Sequence, residues 1–436
     1  MNDKLNTSYI FIPFILNAHS YSELINALND SSSWKVIHDE IVYMLKFVAD
    51  KFNSKNAANC QCFHYRVSSS KFKELIGEEG ATYCTKEHEF FNEKVKFDFL
   101  IEDIQLYCFS TSVNILAIRI AFNDSNPMYV SAALYNLKKV SREKIFYRGK
   151  EITILEIAKN AMEEYDSIFH FEFFYYANAS TERANVLTYL EVEPQDSYKK
   201  ELFYLRRCYN EGFLYAENDK LDSDEIFIPS KDTVWGLSPE AAICLACPGF
   251  GRGEFILGTF FKNFNAQYLF MYVLLLHQKY VLYMFLTKIG IGAYNSLEKL
   301  EQYQSDLYEF ETDFVFSLVT EVPQYQYLYD KMTHAFALKK MYEDVHEPLV
   351  SLAETRRLAS ENEQKVRDDT VNKSLLILSL LSFFSALIDS FDFVNSFFGL
   401  FASESVIHVI QVLCIIAIFI ALFFVIDNLK RSGKYK

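Results

Sequence analysis

The chain has 436 residues, half of them hydrophobic and 17% aromatic, which excludes general disorder and allows two or three domains with a substantial core. Its formal net charge is −14, which argues against nucleic acid as a partner of the whole surface. A nucleotide-sized ligand in a local basic pocket is compatible with that charge.

The opening MNDKLNTSYIFIPFILNAHS reads as a first strand, not a secretory signal. Its start is nearly uncharged, Pro13 breaks the apolar run, and no small-residue cleavage site follows. Residues 1–296 are expected to form a mixed α/β ligand-sensing domain. SWKVIHDEIVYMLKFVADKF has a helical period, as do MYVSAALYNLKKV and YKKELFYLRRCY. Val95 to Phe122 alternates as strands broken at Glu102-Asp103 and around Ser110, and SIFHFEFFYYANAS is strand-like. The eight cysteines are read as reduced, buried thiols. Cys60-x-Cys62-x-His64 and Cys244-x-x-Cys247 each lack the second half of a structural zinc site.

Three basic clusters in this region are candidates for an anionic ligand. CPGFGRGEF is a glycine-rich turn carrying Arg252, where backbone amides and a guanidinium suit phosphate. It lacks the Lys-Ser/Thr of a P-loop. Arg206-Arg207 and His277-Gln278-Lys279 are the others. The last sits mid-way along the apolar run Tyr268 to Gly290, so that run is expected to be a buried core helix and not a membrane span. No catalytic signature is present, and the chain is expected not to be an enzyme.

Residues 297–373 read as a helical stalk. LEKLEQYQSDLYEFETDFVFSLV is an acidic amphipathic helix ending before Pro323, and a second helix is expected to stop at Pro348. From Pro348 neither Pro nor Gly interrupts the chain until Gly399, so one helix of roughly 45 residues is expected there. Two apolar segments follow, 374–394 and 406–426, each close to the ~20 residues that span a bilayer. The loop between them, 395–405, has no Lys or Arg. Lys365, Arg367 and Lys373 precede the pair, and the tail 427–436 carries Lys430, Arg431, Lys434 and Lys436. The positive-inside rule then places both termini in the cytoplasm and the chain as a multi-pass protein of the inner membrane.

The first segment carries a pattern. Val371, Leu375, Leu378, Ser382, Ser385, Asp389, Asp392 and Ser396 alternate in steps of four and three, which keeps them on one helical face. That stripe runs from apolar through hydroxyl-bearing to acidic. Carboxylates at membrane depth mark ion paths, and acidic rings select cations. The plainer alternative is that both aspartates end the helix at the outer interface, with the serines bonded to backbone carbonyls. Two spans cannot enclose a pore alone, so the pore reading requires a homo-oligomer.

An N-terminal α/β domain, descending helices, one long stalk helix and two C-terminal spans resemble the CorA-type metal ion transporters. The family's Gly-Met-Asn hallmark is replaced here by Phe393-Val394-Asn395. YLFMYVLLLHQKYVLYMFL and SALIDSFDF resemble a divergent branch, the CorA-like membrane effectors of type III CRISPR antiviral systems. The resemblance implies a pentamer whose first span lines the pore. It implies that Asn395 keeps part of a role at the pore mouth towards Mg²⁺, whereas Asp389 and Asp392 depart from the family and add charge that its usual pore lacks. It also implies gating by a nucleotide second messenger, the conjugate of S-adenosylmethionine and AMP. Leu375 and Leu378 are expected to form the gate. The alternatives are a constitutive divalent-cation transporter closed by intracellular Mg²⁺ and a membrane-anchored module without conduction.

Overall fold

The computed structural model describes residues 4–16, 21–38, 41–55, 60–78, 80–173, 183–216, 222–249, 251–292, 297–398, and in the second apolar segment 405–406, 408–413, 415–417, 419–420 and 423. The chain divides into two compact units, 1–351 and 352–436.

The first unit is an α+β domain built on a 13-stranded sheet. The expected strands at Val95 to Phe122 form a hairpin of Asp98–Phe109 and Val113–Phe122. Its turn falls at Ser110, and the expected break at Glu102-Asp103 is a register shift between Ile101 and Asp103. The N-terminal strand, Asn6–Leu16, pairs antiparallel with Val113–Phe122 on one side and with Asn185–Glu191 on the other. Asn185–Glu191 then lies parallel to Ala241–Ala246, which continues antiparallel into Thr233–Leu237 and Ile226–Ser230.

Alternation along these strands separates two buried faces. Ile10, Ile12, Ile118, Ile120 and Val186 point into one core, which also holds Ala158 and Met162 of helix Ile154–Phe169. That helix starts in a full capping box, Thr153 with Glu156. Tyr9, Phe11 and Tyr189 point the opposite way. Tyr9 donates to Asn265 at 2.7 Å, Phe11 packs on Tyr272, and Tyr189 packs on Phe261 and Phe264.

That second face is covered by the run expected to be a core helix. It begins with two π-helical turns, Phe255–Phe260 and Phe264–Tyr268, and continues as the core helix Leu269–Gly292. It is long and apolar enough to cross a membrane, yet 89% of its most apolar window is buried in the domain. Its polar triad is absorbed by specific partners. The His277 ring stacks on Phe109, 3.7 Å between centroids, and Nε2 meets the Thr111 hydroxyl at 2.8 Å. Gln278 donates to the Phe314 carbonyl at 2.6 Å, and Lys279 donates to the Pro239 carbonyl at 2.8 Å.

Three sequence expectations are corrected. Ser33 to Phe52 is not a helix: it holds the strand Trp34–Ile37 and a short helix, Lys46–Asp50. In the described part of SIFHFEFFYYANAS, strand covers Phe171–Phe173 alone, because residues 167–169 still belong to helix Ile154–Phe169; 174–182 lie outside the described residues. Pro348 is no helix stop. The break falls at Ala337, with φ +54, between the short helix Pro323–Ala335 and the long helix Leu338–Phe398. Pro348 lies on the exposed side of the long helix, where water can serve the carbonyl that its missing N–H leaves unpaired.

Candidate functional site

The stripe lies on the long helix. At ~100° per residue its eight members fall within an arc of roughly 100°. The long helix is apolar enough between Leu338 and Ser390 to cross a membrane, and none of its most apolar window is buried. Leu375 and Leu378 are 55% and 58% exposed, and Ser382, Ser385, Asp389, Asp392 and Ser396 are exposed as well. The side chain of Asn395 lies outside the described residues, as do 399–404 of the loop and 424–436.

The second apolar segment includes the helix His408–Ala417, and it touches the long helix through Phe383 and Phe419, with ring centroids 6.0 Å apart. Among the described side chains of this stretch, Leu380, Phe383 and Ser390 are the partly covered ones. By helical geometry all three fall on the side away from the stripe. The hairpin partner therefore packs against the back of the helix and leaves the acidic face uncovered. Besides Ser374 at the start of the segment, which donates to the Thr370 carbonyl at 3.0 Å, two serines beside the aspartates bond to backbone as the plainer alternative requires. Ser390 donates to the Ala386 carbonyl at 2.7 Å and Ser396 donates to the Asp392 carbonyl at 2.6 Å. Only the second belongs to the stripe.

The basic candidates of the first unit separate into two kinds. Arg206 and Arg207 end the helix Lys199–Arg207 and both reach Glu225, at 2.7 and 3.0 Å. Arg206 is fully buried, and its Cβ and Leu202 leave room only for glycine at Gly236 on the adjoining strand. This pair is built into the packing, so Arg206 offers no surface to a ligand.

Arg252 is different. Its guanidinium is half exposed, donates to Asp232 at 2.6 Å, and lies over the Phe255 ring at 4.5 Å. It borders a cavity of about 350 Å³ whose floor is the two π-helical turns. π-Helical turns recur at functional sites because they push backbone and side chains out of helical register. Asp232, Thr233 and Ser230 come from the neighbouring hairpin, Tyr43 from a distant loop, and Gln324 and Tyr325 from the start of the short helix. Tyr43 stacks on Tyr325, and Tyr325 packs at a tilt against Tyr268. Burial pushes the Tyr325 hydroxyl up to about 12 and raises that of Tyr268 as well, so these two stay neutral hydrogen-bonding partners at ordinary pH. Sequence reasoning found Arg252 by its glycine-rich turn but missed Asp232, Tyr43 and Tyr325. No spacing rule links positions so far apart.

Among the described residues no group of three or more His, Cys, Asp or Glu is placed to hold a metal ion. The described cysteines carry free thiols, six of them buried, and burial pushes Cys60, Cys208 and Cys244 up, away from the thiolate. No family model, curated protein or solved structure matches this chain.

Proposed function

We propose that this chain is the protomer of a homo-oligomeric, CorA-like cation channel or transporter of the inner membrane, not an enzyme. In this reading the stripe of the long helix lines a central path. Leu375 and Leu378 form an apolar constriction that closes by dewetting. Asp389, Asp392 and Asn395 bind cations, Mg²⁺ among them, towards the outer mouth. Both termini lie in the cytoplasm, and five copies surround the axis as the CorA resemblance implies. The observation that carries the reading is the uncovered stripe. Its hairpin partner packs on the opposite side, so a protomer alone in a bilayer would expose two carboxylates to lipid. A carboxylate facing lipid is costly even towards the interface, where these two lie, and further copies around an aqueous axis remove that penalty.

The first unit senses the controlling ligand, a nucleotide second messenger such as the conjugate of S-adenosylmethionine and AMP, in antiviral defence. The alternative reading is a constitutive transporter closed by intracellular Mg²⁺. Asp306, Glu309 and Asp313 of the acidic helix Leu297–Phe314 line a cavity of about 340 Å³, but Asp313 is paired with Lys51 and the three do not form a metal-holding group.

Cation efflux from liposomes holding the full-length chain separates these readings. The channel reading expects efflux with the conjugate, reduced or altered in selectivity by Asp389→Asn with Asp392→Asn. Efflux without nucleotide that Mg²⁺ suppresses would favour the transporter. No efflux under any condition would leave the hairpin as an anchor.

A further inference from the structure

The cavity beside Arg252 limits the charge of what it can hold. Arg252 and Asp232 are the two charged residues that line it, and they neutralise one another across 2.6 Å. Asp232 is nearly buried, with its side chain 5% exposed, whereas the Arg252 side chain is 51% exposed. The carboxylate therefore fixes the guanidinium from below. Of the five guanidinium N–H donors, others remain on the open side for one further oxygen. A second or third negative charge on a ligand would find no cation and would lie close to the Asp232 carboxylate.

The rest of the lining suits a flat, hydrogen-bonding ring. Tyr43 and Phe255 keep 41% and 39% of their surface exposed; Tyr325 covers one face of Tyr43 and Arg252 one face of Phe255, which leaves one face of each for a ligand, while Tyr268 and Tyr325 back the wall from the core. Aromatic faces hold nucleobases by stacking, worth ~1–3 kcal/mol per base. Asn263 and Gln324 supply the amide pattern that matches the N6/N7 edge of adenine. A volume of about 350 Å³ falls at the lower end for pockets that enclose small molecules, ~300–1,000 Å³.

We propose that this cavity is the seat of an adenine nucleotide bearing a single phosphate, as monoester or diester, and that it discriminates against triphosphates. The inference rests on the reading that the first unit is a nucleotide sensor, and it names the site and the ligand's charge. The wall is also placed to report occupancy. The Tyr43 carbonyl accepts from Thr320 at 2.5 Å and the Leu45 N–H donates to Val319 at 2.8 Å. The Tyr43 loop is thereby tied to the segment leading into the short helix, which carries Gln324 and Tyr325 and is followed directly by Leu338 of the long helix.

The test is calorimetric titration of the full-length chain in detergent with AMP, ATP and the S-adenosylmethionine–AMP conjugate. AMP or the conjugate is expected to bind at least about tenfold more tightly than ATP, a gap of ~1.4 kcal/mol. Arg252→Gln is expected to weaken that binding about tenfold; because it also leaves the nearly buried Asp232 carboxylate without its cation, its binding is compared with that of the native chain below the variant's own melting temperature. Asp232→Asn, which leaves a net positive cavity, is expected to narrow the gap between AMP and ATP. Equal or tighter binding of ATP, an Arg252→Gln variant that binds normally, or no binding of any probe would overturn the proposal. The channel reading fails separately. Binding as expected without liposome efflux sinks conduction and leaves the seat, whereas nucleotide-gated efflux unaffected by Arg252→Gln sinks the seat and leaves conduction.

Discussion

Phe383 of the long helix and Phe419 of the second apolar segment meet edge to face, with ring centroids 6.0 Å apart at an interplanar angle of 71°. Ser382, the residue before Phe383, belongs to the stripe and is exposed. One step along the helix turns the surface by ~100°, so the face that meets the second apolar segment and the uncovered stripe lie side by side in the sequence but apart in space.

That relationship predicts two cross-linking patterns. In a Cys414→Ser background, Phe383→Cys with Phe419→Cys is expected to form a disulfide within one chain, which leaves the mass unchanged on a non-reducing gel. Ser385→Cys alone, on the stripe, is expected to join neighbouring copies when membranes are oxidised and to give a dimer band. A Ser385→Cys protein that stays monomeric under oxidation would argue against a shared axis.

The stripe was legible because it is local: a 3–4 alternation needs only helical continuity, and the absence of Pro and Gly from Leu349 to Phe398 supplies it. The burial of residues 268–282 was legible for a related reason, since His277-Gln278-Lys279 is intolerable against lipid but needs only a few partners in a protein core. Ser33 to Phe52 misled because apolar residues in this short stretch satisfy a helical period. Tertiary pairing decides otherwise, with Trp34 opposite Val67 and Val36 opposite Tyr65. The helix break depends on Ala337 at φ +54, a conformation that the residue type does not announce. Pro348 announces a break that does not occur. The cavity was least legible, because Asp232 and Tyr325 come together only after the sheet edge and the short helix have docked.

Lys279 predicts a pH dependence. Its amine lies among Tyr280, Tyr283 and Phe336 and donates to the Pro239 carbonyl. Burial brings it from the usual 10.5 down to about 8, partly opposed by the charge of Glu240. Between those two values the unfolded chain holds the extra proton, so this group makes stability rise with pH across pH 8 to 10.5, by ~3 kcal/mol in all. Buried tyrosines such as Tyr189, pushed up by burial, act oppositely above pH 10. The informative quantity is therefore the difference between the native chain and Lys279→Met. The native melting temperature is expected to gain on that of the variant as pH rises from 8 to 10, and a constant difference would refute the assignment.

Leu378 and Ile377 are adjacent and each 58% exposed, so a protomer considered alone gives no reason for them to behave differently. Around a shared axis they part company: Leu378 lies on the stripe, and Ile377 is turned ~100° away from it. An apolar ring that closes by dewetting loses its barrier when a hydroxyl is placed in it. Leu378→Ser is therefore expected to raise ligand-independent efflux from liposomes by about tenfold or more, in line with removal of a dewetting gate. Ile377→Ser, with the same change in hydrophobicity and the same exposure, is expected to leave basal efflux unchanged. Equal effects of the two substitutions would show that the membrane helix leaks through general destabilisation. A silent Leu378→Ser would remove this leucine from the gate, whatever the aspartates below it do.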